Sequence, residues 1–399
     1  MKTLPSRRAF LRQAGLAAAL PLASRAASTS GRRVRIGIVG GRFGATFQFH
    51  EHPQCTVAAV SDLRADRRAR LQKTYSCPTA YESLDLLLRD RTVEAVFLAT
   101  PAPDHVPHVL QALRAGKHVL CAVPAAMTLE ECQALIAAVK DSGLIYMMAE
   151  TSYWQQTTIA ARQFHQEGKF GRLYHVESMY HHAGLDSLWV EDGQRTWRHG
   201  LPPMHYPTHC TAHLIGVTGE RLVQVSCQGW GDDDARLRDN VYRNPFWNES
   251  AQFLTSRGNT MRVDVWWHGA HKGGERARYY GDRMSLFFAD PHGLAATIVR
   301  AGKQVEKDSG GFERQLPGLE TFAVPMAWKT DALPEPLRHN SGHEGSHTFI
   351  THEFIDAIVH QRRPAVDVYE AVAYTAPGIV AHQSALRGGD RLAIPSFDA

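Results

Sequence analysis

Three glycines behind an apolar run, a carboxylate eighteen residues further on, and histidines four residues apart are the parts of this 399-residue chain best suited to chemistry. The glycines stand in Gly40-Gly41-Arg42-Phe43-Gly44, directly after the apolar stretch Val34 to Val39. Glycine in such a turn lets backbone N–H groups approach a pyrophosphate at the start of a helix. Asp62 closes the next apolar run, CTVAAVSD, where a carboxylate can hold the ribose hydroxyls of a dinucleotide. Its charge repels a 2′-phosphate, which points to NAD rather than NADP; Arg64, Arg67 and Arg68 keep NADP open. The loop departs from G-x-G-x-x-G, because Arg42 and Ala45 stand where glycines belong when counting from Gly40. Turn glycines and a turn aspartate explain each residue singly and the combination poorly.

His205, His209 and His213 share four-residue spacing, as do His343 and His347. Histidines at i, i+4 on a helix can hold zinc. No cysteine or carboxylate completes a recognisable set beside them, so no metal is expected. His209 suits general-base work better, since an unperturbed imidazole titrates near ~6.5. Its bland alternative is a ring capping a helix that runs to Ile215.

The elements that must position these groups alternate. Val34–Val39, CTVAAVSD, VEAVFLATP, KHVLCAV and LIYMMAE read as buried parallel strands. Between them lie a helix-like stretch after the glycine loop, a helix from Asp104 to Ala115, and one from the capping box at Thr128 to Ser142. That predicts an α/β Rossmann domain, a doubly wound parallel sheet with ligands at the strand C-termini, over residues 31–150. The alternation in MRVDVWWHG places a strand in a second domain, residues 151–340, with Trp266 and Trp267 read as core. Residues 341–399 are expected to be helical and to pack back on both domains.

Residues 1–30 read as an export leader: Arg7-Arg8 precede Phe10-Leu11, then a short apolar stretch, then small residues near Ala26. Twin arginines in that setting resemble the signal that exports folded, cofactor-loaded proteins, to the periplasm or beyond. The stretch is shorter than the ~20 residues a membrane span needs. The leader also carries the charge: Lys2, Arg7, Arg8, Arg12 and Arg25 exceed the whole chain's net +4, so the mature protein sits near neutrality. No nucleic-acid or anionic-membrane partner is expected. The cysteines at 55, 77, 121, 132, 210 and 227 form no C-x-x-C pair and read as free buried thiols.

VRIGIVGG, AVSD, VFLATP with His105 after it, and GKHVLCAVPAA resemble the glucose–fructose oxidoreductase/inositol dehydrogenase/MocA family, as does GHEGSHTFITHEFIDAIVHQRRPAVDV near the end. The resemblance implies NAD in the first domain, with Thr100, Pro101, His105, Val123 and Pro124 joining the glycine loop at the cofactor. It also implies an α+β second domain whose large, mostly antiparallel open sheet sets a sugar beside the nicotinamide and joins copies into a homo-oligomer. Dehydrogenases of the family carry Glu-Lys-Pro where this chain has Ala122-Val123-Pro124, and an aspartate where it has His205. VPAAMTLEEC, MAET, HVESMYHH, TWRHG and YPTH are instead similar to the glycoside hydrolase family 109 branch, where the lysine position is also apolar. Carried across motif by motif, that branch's substrate residues fall on Glu150, Tyr180, Arg198, Tyr206 and His209. The implied activity on a small carbohydrate is glycosidic cleavage through transient C3 oxidation, elimination, water addition and re-reduction. His209 would serve the C3 hydroxyl, Tyr180 and Tyr206 the C2 proton or O3, Arg198 a sugar oxygen, and Glu150 the sugar hydroxyls or acid/base work. Two alternatives stand beside it: a net sugar dehydrogenase using His205 and His209, and a sugar-binding protein without catalysis.

Overall fold

The computed structural model describes residues 31–398. The expected leader, residues 1–30, therefore lies outside the described residues. Six parallel strands form the first sheet: β1 (Val34–Val39), β2 (Cys55–Ser61), β3 (Ala80–Tyr81), β4 (Ala95–Leu98), β5 (His118–Cys121) and β6 (Tyr146–Met148). Their order is β3-β2-β1-β4-β5-β6, the Rossmann arrangement, with its reversal between β1 and β4. These strands are short apolar runs because both faces of the sheet are covered. Four helices cover them: α1 (Ala65–Tyr75), α2 (Leu84–Leu88), α3 (His105–Arg114) and α4 (Leu129–Ser142). Thr128 caps α4 by accepting the Glu131 N–H at 3.1 Å, while the Glu131 carboxylate reaches back to the Met127 N–H at 2.7 Å.

One expected helix is missing. After the glycine loop the chain makes a single 3₁₀ turn, Phe43–Thr46, and then passes through tight turns into β2. Aromatic rings fill the space of a crossover helix: Phe47 meets Phe97 of β4 at 4.7 Å between centroids, and Phe49 meets it at 5.7 Å. With no α-helix after the loop, no helix N-terminus serves a pyrophosphate there.

The second sheet is mixed. It contains β7 (Leu173–His181), β10 (Leu222–Trp230), β11 (Asn248–Thr255), β12 (Thr260–Trp266), β13 (Gly274–Gly281), β14 (Met284–Phe287), β15 (Thr297–Lys307), β16 (Glu313–Thr321) and β17 (Leu392–Ala393). The order is β16-β15-β14-β13-β7-β12-β11-β10-β17, open at both ends and parallel only between β7 and β12. A separate ribbon, β8 (Val190–Glu191) with β9 (Gln194–Arg195), stands off the sheet. Trp267 is buried, as expected of core, and the half-buried Trp266 stacks on His181 at 4.1 Å.

Four further helices complete the fold: α5 (Gln156–Gln166), α6 (Thr208–Thr218), α7 (Gly342–His360) and α8 (Val368–Leu386). Helix α6 runs past the expected Ile215 and is buried almost all round. The C-terminal helices tie to both sheets: Val366 O accepts the Met148 N–H at 3.0 Å, and Ser384 Oγ accepts the Cys227 N–H at 2.9 Å. All six cysteines are buried and free. Among the described residues no helix is long and apolar enough to cross a membrane.

Candidate active site

One cleft of about 700 Å³ runs along the C-terminal ends of β1, β2, β4 and β5 and across to the second sheet. Gly40, Gly41, Arg42, Phe43, Asp62, Thr100, Pro101, Ala122 and Val123 line one end. Gly40 has φ 101°, and a Cβ there would stand 2.3 Å from Ala99 O. Only glycine allows this left-handed turn to pack against β4's end at the floor of the cleft. The Asp62 carboxylate is fixed by the Gly41 N–H at 2.7 Å and the Arg64 N–H at 2.9 Å, which aims it along the cleft. The residues present therefore fit NAD, with Asp62 for a ribose and the glycine turn for the pyrophosphate.

The other end is built from β7, α6 and the segment between them. Tyr180, Arg198, Tyr206 and His209 line it together, in the same cleft as Ala122 and Val123. Ring centroids lie 4.7 Å apart for Tyr180–His209, 5.4 Å for Tyr206–His209 and 6.0 Å for Tyr180–Tyr206. The Arg198 guanidinium lies over Trp197 at 4.1 Å and 6.0 Å from the Tyr206 ring. Behind His209, Glu150 Oε1 stands 2.9 Å from Nδ1 and also takes the Ser152 N–H at 2.8 Å. Burial alone would discharge the imidazole, but Glu150 and then Glu275 outweigh it and lift its pKa to about 10. Burial opposes ionisation of Glu150 as well, and the His209 charge wins there too, holding its carboxyl below the usual range. The resting pair is an imidazolium and a carboxylate, so His209 is not the half-protonated base an unperturbed histidine would be. Tyr180 is pushed well above the phenol range, first by burial and then by Tyr206 and Glu275. It is a proton donor rather than a tyrosinate acceptor.

Several expected site residues do other work. Glu150 is fully buried behind His209, where it orients that ring and does not line the cleft. His105 is also buried; its ring nitrogens lie 2.7 Å from Pro124 O and 2.9 Å from Thr100 O, stapling two loops beneath the cleft. Pro124 and the buried Gly44 likewise support the wall without lining it. His205 turns into the core beside His382, 5.2 Å between centroids, where burial drives its pKa down to about 3. His205 therefore does not line the cleft beside His209. His213 faces Thr158 Oγ1 at 3.0 Å, away from the cleft. Among the described residues, no three metal-capable side chains come together.

The sequence reading missed Glu275, whose carboxylate takes the Ser152 hydroxyl and the Gln155 amide at 2.6 Å each and stands 4.0 Å from His209 Nδ1. It stands opposite Tyr180 in the β13–β7 register, a pairing no local pattern announces. It also missed His182, His343 and the ribbon, whose Glu191 Oε1 meets Arg42 at 2.6 Å and Arg67 at 2.5 Å.

Residues 34–150 match the model of the oxidoreductase family with an NAD-binding Rossmann fold, and residues 319–399 match the glycosyl hydrolase 109 C-terminal domain. A glycosyl hydrolase family 109 protein of Streptomyces coelicolor is 25% identical, over 86% of this chain and 78% of its own length. One from Stenotrophomonas maltophilia is 23% identical over 98% and 95%. Among solved structures, a levoglucosan dehydrogenase in complex with NADH and levoglucosan superimposes with TM-score 0.74 at 17% identity, over 92% of this chain and all of that one.

Proposed function

We propose that this chain belongs to the glucose–fructose oxidoreductase/inositol dehydrogenase/MocA family of NAD-dependent enzymes and is a glycosidase working through a transiently oxidised sugar. The supporting observation is the convergence of Tyr180, Arg198, Tyr206 and His209 on a cleft that Val123 also lines, where dehydrogenases of the family carry a lysine. NAD, held by the glycine turn and Asp62, would supply a hydride acceptor for C3 of the sugar and the hydride to reduce it again, so turnover would be redox-neutral. Glu150 accepts Nδ1–H of His209, which leaves Nε2 as the nitrogen that exchanges protons with the C3 hydroxyl. His209 must lose its resting proton before it can take that of the C3 hydroxyl, and the positive charge of an oxidised nicotinamide beside it would favour that loss. Tyr180 donates to the oxygen at C3, and Arg198 polarises a neighbouring sugar oxygen. The ketone at C3 acidifies C2–H; its loss expels the C1 substituent, and water adds in its place. No pair of carboxylates flanking the scissile bond is needed.

Arg7-Arg8 and the apolar stretch behind them support export of the folded, cofactor-loaded protein. The open face of the nine-stranded sheet is the expected contact between copies. The test is to mix purified protein containing its bound cofactor with a panel of aryl glycosides. Near-ultraviolet absorbance of reduced nicotinamide should rise and return as the aglycone is released. Stoichiometric NADH with a keto sugar would make the protein a net dehydrogenase, and no absorbance change with any glycoside would leave a binding protein.

A further inference from the structure

A second cavity, of about 480 Å³, adjoins the cleft. Thr196 and Trp197 line both, whereas Pro103, Gln194 and Arg195 face the second alone. Its volume falls among those of small-molecule pockets, roughly 300–1,000 Å³. One wall is the 3₁₀ turn Ala102–Asp104 ahead of α3; the other is β9 with the two residues after it.

That second wall is pinned along its length. The Thr196 N–H donates to Trp189 O at 2.8 Å, and the Thr196 hydroxyl donates to Leu188 O at 2.5 Å and accepts the Arg198 N–H at 3.2 Å. Trp197 O accepts the Tyr242 hydroxyl at 2.5 Å, and Arg195 donates to Asp239 O at 2.9 Å. Trp197 is thus held half-buried between the two cavities, with the Arg198 guanidinium 4.1 Å from its ring centroid.

Position and chemistry both bear on what enters. Arg198 lines the sugar end of the cleft, and Trp197 stands next to it where the second cavity begins. The glycine turn and Asp62 claim the opposite end of the cleft for NAD, so a group carried on C1 of the sugar is left with the side beyond Arg198. The charges there are answered within the chain: Arg64 pairs with Asp66 and Asp192, and Glu191 with Arg42 and Arg67. Asp104 adds a carboxylate, which accepts from hydroxyls and repels an anion. An indole, the Gln194 amide and that carboxylate remain for a ligand. A sugar ring presents C–H bonds on a face and hydroxyls at its rim, so it packs on the negative face of an indole and bonds to polar groups around it.

We propose that this cavity is a leaving-group subsite that takes a second, uncharged sugar unit, joined to C1 of the sugar that is cleaved. The assignment rests on the glycosidase reading above. Trp197 packs against the second ring, while Gln194 and Asp104 meet its hydroxyls. An alkyl group on C1 fills little of this space, so the fitting substrate is the end of an oligosaccharide.

The probes come in pairs: the methyl glycoside of a sugar, and the disaccharide in which the same sugar is joined to glucose. Calorimetry on the resting holoprotein gives a Kd for each. For a sugar that binds, the disaccharide should bind ~10–100-fold tighter than the methyl glycoside. Gln194→Ala and Trp197→Phe should each shrink that advantage ~3–10-fold. Reading a ratio cancels any disturbance of Arg198, which would weaken both probes alike. The kcat/KM ratio for release of glucose over release of methanol should shrink with it. Equal affinity of the two probes for the parent, or an advantage that neither variant reduces, overturns the subsite whatever becomes of the glycosidase reading. A disaccharide advantage that both variants reduce, in a protein whose NAD no glycoside ever reduces, keeps a second sugar site and overturns its leaving-group role together with that reading.

Discussion

Replacing Glu150 by glutamine keeps an acceptor for His209 Nδ1–H and removes the charge that holds the ring protonated. The imidazole rises from 6.5 to about 10 in the folded protein. At ~1.4 kcal/mol per pKa unit, such a ring stabilises the fold at neutral pH by about 4 kcal/mol relative to one that stays neutral. Glu275, 4.0 Å away, survives the substitution and retains part of the effect, so the expected loss is roughly 2–4 kcal/mol. The sign of the pH dependence follows from the direction of each shift. His209 has a raised folded pKa, so its contribution is complete below 6.5 and disappears as pH rises through about 10. Glu150 has a lowered folded pKa, so its side of the same pairing is present above its unfolded value of 4.5 and fades as pH falls below it. Urea unfolding of parent and Glu150→Gln should therefore differ most near pH ~6, with the gap closing to under ~1 kcal/mol near pH ~10. Equal stability near pH ~6, or a gap as wide near pH ~10, would refute the imidazolium–carboxylate assignment.

Asp62→Ala removes a carboxylate that Gly41 and Arg64 aim into the cleft. NAD affinity should fall by about 10–100-fold and the preference against NADP should relax, read by calorimetric titration of stripped protein; a variant that binds both as the parent does would clear Asp62 of the role. Glu191 joins Arg42 and Arg67 through one carboxylate oxygen, with Arg64 at 3.8 Å and paired to Asp192 at 2.7 Å, which latches the ribbon to the glycine loop and the start of α1 at the cleft. Exposed pairs are worth ~0–1 kcal/mol each, so Glu191→Gln should release labelled NAD about 3–10-fold faster, and an unchanged rate would discard the latch. Changing Arg7 and Arg8 to lysine should strand the precursor in the cytoplasm; continued export of the double variant would end the twin-arginine reading.

The parallel sheet was legible because each strand is a local apolar run, and Asp62 because it closes one of them. The stretch after the glycine loop forms no α-helix: Phe43 and Phe47 stand four apart as on a helix, yet with Phe49 they pack on one another and against Phe97, and the chain makes only a 3₁₀ turn. The resemblance located the residues that meet in the cleft, but it gave no protonation states. Those depend on Glu275, which reaches His209 from a distant strand, and on Glu150 lying behind the ring instead of beside the sugar. His343 carried a visible signal, its four-residue spacing to His347. That signal was read as helical, whereas the left-handed backbone at 343–345 turns the two rings toward each other.

The central claim is that the sugar is oxidised only in passing and loses its C1 substituent by elimination. Turnover of a cleavable glycoside in D₂O, with the released sugar examined by NMR, tests it most directly. Deuterium should appear at C2 of the product while free NADH does not accumulate. Product with unlabelled C2 would contradict the account.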